Sequence, residues 1–227
     1  MREFHDAETA EEREAIYRFR YEQYIENLGR VLPGIDEKRR MLHEPHDDES
    51  HHTYITDSRG DICAAVTETP LTCRHIPGRW EEIFDLDGFE GVQPEQVTVT
   101  TRLILRPDFR RSTLLGRLMC YMYRRACENG CELDLIHCAS TLVGMYEQLG
   151  FRRYTENFNT SDLGSYRIPM MLIMGDSDHL HKVRSPFYKI VTKLPPIETH
   201  LDKLLIRFPK LSSAVNTRLM SEEALYE

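Results

Sequence analysis

Residues 97 to 151 constrain the fold of this chain more than any other stretch, because strand and helix periodicities alternate there at short range. Val97 to Leu105 reads as a strand, with Thr98, Thr100 and Arg102 expected on one face and Val97, Val99, Thr101 and Leu103 on the other. Pro107 stops it. An arginine-rich loop from Arg106 to Thr113 leads to a helix from Leu114 to about Asn129, and a strand from Leu133 to Cys138 follows. A second helix ends in Tyr146-Glu147-Gln148-Leu149-Gly150-Phe151. The first helix carries Gly116 in its first turn and has Arg110 and Arg111 just before it. Free backbone N–H groups and the positive end of the helix dipole converge there, so an anion site is expected.

The net charge of −8 argues against nucleic-acid binding, which needs a phosphate-neutralising surface. Its distribution says more. Between Val97 and Ala126 stand seven arginines (Arg102, Arg106, Arg110, Arg111, Arg117, Arg124 and Arg125) and one acid, Asp108. Arg124 and Arg125 fit a solvated helix face, whereas the others cluster where an anion would bind. No apolar run reaches the roughly 20 residues of a membrane span, and Met1 to Asp6 lacks the apolar core of a signal peptide, so a cytoplasmic location is expected. Six cysteines without a CxxC pair read as reduced thiols.

Thr9 and Glu12 form a capping box that opens a helix expected to run to Leu28, with Gly29 ending it. Tyr17, Tyr21, Tyr24 and Leu28 share one face, either as core or as the wall of a cleft, and Arg18 and Arg20 beside them are expected to be exposed. From Arg30 to His52 the chain is polar and irregular, crowding His43, Glu44, His46, Asp47, Asp48, His51 and His52 together. Such residues can ligate metal, but without fixed spacing the plainer reading is a mobile loop over a cleft, and no metal is expected. Thr53–Thr56 and Ile62–Thr67 read as a hairpin around Asp57–Asp61, and Trp80 to Phe84 as a short helix packing the connection on the core. Arg152–Phe158 and Tyr166–Met174 read as further strands. After Gly175 come short helices, one capped by Asp176 or Ser177, one with Leu201, Leu204, Leu205 and Phe208, and one with Leu211, Val215 and Leu219. The expected division is residues 1–175 as one domain and 176–227 as a helical extension packing on it or on a partner.

Taken together, these features resemble the GNAT superfamily of acyltransferases over about Glu11 to Met174, most specifically from Thr101 to Phe151. The family's phosphate loop would be Arg111-Ser112-Thr113-Leu114-Leu115-Gly116, with Leu114 in place of its middle glycine and the diphosphate of coenzyme A less well admitted. Tyr17 to Glu26, Asp48 with Tyr54 and Gly60 beyond it, and the Thr101-Arg102 pair resemble one branch, the N-acyl amino acid synthases and the acyl-homoserine-lactone synthases. Val99, Thr67 and Pro45 stand where lactone synthases carry a glutamate, an arginine and an aspartate, which favours the amino acid synthase type.

The resemblance implies an α/β (α+β) fold, with a mixed, mostly antiparallel central sheet flanked by helices. It implies an acyl group passed from coenzyme A or acyl carrier protein, as co-substrate rather than tightly bound cofactor, to the amine of a small molecule. Tyr146, Arg102, Thr101 and Asp48 are the implied catalytic residues. Leu103, Leu105, Arg110, Arg111, Ser112, Thr113, Leu114, Leu115 and Gly116 are the implied cofactor-binding residues. Tyr146 would protonate the leaving thiolate, and Arg102 would bind a substrate carboxylate or pair with an acid such as Asp48. Asp48, Glu68 and His137 are candidate bases, and Cys138 a candidate acyl-cysteine. A lactone synthase, an acetyltransferase using acetyl-coenzyme A, and a fold-only sensor that Val99, Thr67 and Leu114 have disabled remain as alternatives.

Overall fold

The computed structural model describes residues 4–89, 91–110, 112–156, 158–160 and 165–212. After β1 (Phe4–Asp6), helix α1 (Ala10–Tyr21) starts on the expected box: the Glu12 N–H donates to Thr9 Oγ1 at 3.2 Å, and the Thr9 N–H donates to the Glu12 carboxylate at 2.9 Å. The helix does not continue regularly to Leu28. Glu22–Asn27 forms a π-turn, a wider spiral that swings Tyr24 inward and leaves Leu28 41% exposed, so the tyrosine stripe breaks. Arg20, expected at the surface, is only 1% exposed, because Asp47 meets it inside the protein.

A small ribbon of β2 (Ile35–Asp36) and β3 (Met41–Leu42) precedes a 3-10 turn over Pro45–Glu49. The histidine-rich segment is therefore structured, and buried His46 and Asp47 make it a wall rather than a loose loop. The hairpin is longer than expected, β4 (His51–Thr56) and β5 (Ile62–Pro70), and α2 (Arg79–Phe84) follows. The central unit then matches the periodicity closely: β6 (Val97–Leu105), α3 (Leu114–Glu128), β7 (Leu133–Cys138) and α4 (Val143–Leu149). Gly150 ends α4 at φ 113, and a Cβ there would lie 2.4 Å from Leu180 Cδ2, so only glycine suits both the turn and the packing. The chain continues through β8 (Arg152–Arg153), β9 (Phe158–Thr160) and β10 (Ser165–Ile173). Helices α5 (Ser177–Lys182), α6 (Tyr188–Val191) and α7 (Leu201–Arg207) close the described part.

The main sheet has the order β1-β4-β5-β6-β7-β10-β8, with β9 also on β10. Among the described residues, only β6 and β7 pair in parallel. Alternation along β10 explains its apolar run: Met170 and Leu172 join Leu118, Met122, Ile136 and Phe151 under α3, while Met171 and Ile173 join Val97, Val99, Leu133 and Leu135 on the opposite face. The residues after Gly175 complete both layers, Leu180 and Phe187 on the α3 face and Leu204 and Phe208 on the other. Asp176 caps α5 by accepting from the His179 N–H at 3.1 Å, and it pairs with buried Arg152 at 2.7 Å. The helix read around Val215 and Leu219 lies outside the described residues.

Candidate active site

β6 and β7 are paired only from Val97 with Leu133 to Val99 with Leu135, although both run further. They part because β6 carries one extra residue against β5: Thr67 faces Thr101, but Ala65 faces Ile104. Arg102 occupies this bulge at φ +54, a left-handed conformation that costs a non-glycine residue about 1–2 kcal/mol. The alternation expected along the strand therefore fails after Thr101. Successive residues Thr100 to Ile104 all border one cavity of about 400 Å³.

That cavity lies beside the parted strands, with Leu28, Arg30 and Leu32 at one side and Trp80 and Ile83 of α2 at another. Tyr24, turned inward by the π-turn, donates its hydroxyl to the Leu103 carbonyl at 3.4 Å. His137, Cys138 and Ala139 from the free end of β7, with Leu142 and Tyr146, form the inner wall. Tyr146 is 6% exposed and packs edge-on to Phe151 at 5.4 Å. Burial pushes its phenol well above the usual range, so it stays protonated.

The expected catalytic residues divide. Tyr146, Thr101 and Arg102 border the cavity, whereas Asp48 is 71% exposed, turned to His43 at 3.0 Å, and outside it. Arg102 pairs with Glu44 rather than Asp48, and its guanidinium lies 5.7 Å from the centre of the Tyr24 ring. Of the candidate bases, Glu68 is ion-paired to Arg125 beneath α3, which also takes Arg125 off the solvated face assigned to it. His137 does border the cavity, stacked on Phe84, and burial followed by the charges of Arg167 and Arg102 lowers it to about 4. Cys138 is pushed up to about 12 by burial, which keeps it a thiol.

Of the expected cofactor-binding residues, Leu103 borders the cavity and Leu105 lies in the core, while Arg111 is outside the described residues. Arg110 reaches back to the Leu105 carbonyl at 3.4 Å. Ser112 and Thr113 are exposed, and the Ser112 hydroxyl accepts the Leu114 N–H at 3.2 Å. The Leu114 side chain is 1% exposed, packed in the core cluster with Leu118 and Met119. Leu115 packs partly on the core and Gly116 has open space around it.

Sequence reading missed Glu44, His46, Trp80 and Arg167 as cavity residues. His46 packs against Trp80 at 5.2 Å and is lowered from its usual value by burial, so it is a neutral imidazole. Among the described residues no group of His, Cys, Asp and Glu could hold a metal, and no helix is long and apolar enough to cross a membrane.

Comparison with curated proteins gives no match. Among solved structures, FeeM, an N-acyl amino acid synthase from uncultured soil microbes, superposes with a TM-score of 0.61 at 13% identity, covering 80% of this chain and 98% of that one. BjaI, a CoA-dependent acyl-homoserine lactone synthase with SAM and isopentyl-CoA, gives 0.62 at 13% identity, covering 91% and 99%. TofI in a ternary complex with an inhibitor and MTA gives 0.60 at 18% identity, covering 82% and 97%. These establish the GNAT-like fold expected from the sequence. The family model for N-acyl amino acid synthase FeeM matches residues 15–173, which include α1 from Ala15 onward, the β6 bulge and Tyr146, and the chain belongs to that family of acyltransferases.

Proposed function

We propose that this protein transfers an acyl group from a phosphopantetheine thioester, on acyl carrier protein or coenzyme A, directly to the amine of a small molecule such as an amino acid. The observation that carries this is the parting of β6 and β7 at the Arg102 bulge, over a cavity that Tyr146 borders. A strand edge that has lost its partner can hydrogen-bond the amides of a pantetheine arm as though it were an added strand. Backbone N–H groups between Thr101 and Leu103 would polarise the thioester carbonyl. The first turn of α3, from Ser112 to Gly116, would hold the phosphate.

The neutral amine attacks the carbonyl carbon, a C–N bond forms and the C–S bond breaks. The amine gives its proton to a neutral imidazole, of which His46 and His137 border the cavity. Tyr146 donates to the leaving sulfur. A Cys138 thiol pushed up to about 12 by burial supports direct attack over an acyl-cysteine intermediate. Leu114 leaves coenzyme A as open as acyl carrier protein, and exposed Arg117 and Arg124 suit an acidic carrier. Side chains at two positions support the amino acid synthase type over the lactone synthase type: Val99 is wholly buried among Leu133 and Leu135, and Thr67 accepts from Arg20.

The test is incubation with acyl-acyl carrier protein or acyl-coenzyme A and a panel of amino acids, followed by mass spectrometry. An N-acyl amino acid is expected, and no amide with any donor and amine would overturn the reading.

A further inference from the structure

We infer that Arg167, which no motif marks, is the residue that binds the carboxylate of the acceptor, so that the protein selects amines carrying a nearby carboxylate. This rests on the acyl-transfer reading and deepens it. Arg167 precedes Ile168, which faces Cys138 across the β7–β10 pair, and it borders the cavity beside the parted strands. It is 9% exposed, and its Nε is buried without a hydrogen-bond partner among the described residues. Every other deeply buried arginine of the described chain has an acid: Arg20 has Asp47 and Arg152 has Asp176. A buried guanidinium without one leaves a planar donor fork whose natural complement is a carboxylate.

Charge around the cavity supports the assignment. Arg30, Arg79, Arg102 and Arg167 border it against one carboxylate, Glu44, and Glu44 is already bound to Arg102. Burial, and then the like charge of Arg30, lowers the Arg167 pKa, the condition an anionic ligand would relieve. Arg102, the sequence choice for a substrate carboxylate, is thus occupied, while Arg167 is open. The phosphate of the donor is a second source of negative charge. Among the described residues of the proposed phosphate site, Arg110 and 112–116, none borders the cavity, which separates the two anions in space.

Binding can be measured by calorimetry on the full-length protein without any turnover. The probes are N-dodecanoylglycine, N-dodecanoylglycinamide and 4′-phosphopantetheine. Wild type is expected to bind the carboxylate at least about tenfold more tightly than the amide, the scale of a charge-assisted hydrogen bond. Arg167→Gln should abolish that preference and Arg167→Lys should keep part of it, with phosphopantetheine affinity unchanged in both. Equal binding of acid and amide by wild type overturns the inference even if the variants misfold. So does a folded Arg167→Gln that keeps the preference, or one that instead loses phosphopantetheine. Amide synthesis that proceeds with the carboxylate preference absent removes only the role of Arg167, whereas absence of amide synthesis with every donor removes the acyl-transfer reading.

Discussion

Arg102 and Glu44 form an ion pair that ties the left-handed bulge of β6 to the turn beginning at Pro45, with 17% and 15% of their side chains exposed. The pair joins the two walls of the cavity. Glu44→Gln leaves a mostly buried guanidinium without its acid and should destabilise the fold by about 2 kcal/mol, below the range for wholly buried pairs. In urea titrations, a double Glu44→Gln/Arg102→Gln variant should cost less than the sum of the two single changes.

Asp47 and Asp48 are adjacent in sequence and opposite in environment. Asp47 is 1% exposed and meets Arg20 at 2.9 Å, whereas Asp48 reaches only His43 from solvent. Burial pushes Asp47 upward, but Arg20 and the Glu44 N–H together hold it below the usual carboxylate range. Asp47→Asn should destabilise by about 3–5 kcal/mol, and Asp48→Asn by no more than about 0.5. Equal effects in denaturant titrations would contradict this division.

These two acids mark the limit of what the sequence makes legible. The order β6–α3–β7–α4 could be read because β6 and α3 are long and strongly periodic and because Pro107 and Gly150 punctuate the unit. Tyr146 came with that unit. The bulge did not, since a single extra residue at Arg102 leaves no compositional trace when the residue is not glycine. The π-turn likewise keeps a helical pattern while rotating Tyr24 into the cavity. Pairings between residues far apart in sequence, such as Arg20 with Asp47 and Arg102 with Glu44, depend on how α1 and β6 each meet the segment after β3. Arg167 was invisible for the same reason: only tertiary structure shows that no acid awaits it.

Tyr146 loses little packing when its hydroxyl is removed, because the ring contact with Phe151 remains. Tyr146→Phe should therefore keep its melting temperature while kcat for amide formation falls about 100-fold, as expected for a positioned proton donor. An unchanged kcat would remove Tyr146 from the chemistry.

Burial raises Asp134 to about 7, so the folded protein holds this proton over a range where the unfolded chain, near 3.8, has released it. The folded state then binds more protons between these values, and this contribution to stability is present below about 4 and lost as pH rises through 7. Asp134→Asn should be more stable than wild type by about 4 kcal/mol at pH 8, with the difference vanishing near pH 4. Histidines run the other way. His52 and His137, each lowered to about 4 with burial as the main cause, add stability above 6.5 that is lost as pH falls towards 4. Urea titrations of both proteins at several pH values separate the two trends.

The cleft between β6 and β7 is tested most directly by filling it. Ala139 borders the cavity, is half-buried, and contributes no side-chain hydrogen bond, so Ala139→Trp adds bulk where the thioester would lie without removing a proposed catalytic group. The rate of N-acyl amino acid formation, followed by mass spectrometry beside the melting temperature, should fall at least about 100-fold in a variant that remains folded. A folded Ala139→Trp protein that forms the amide at the wild-type rate would place the reaction elsewhere.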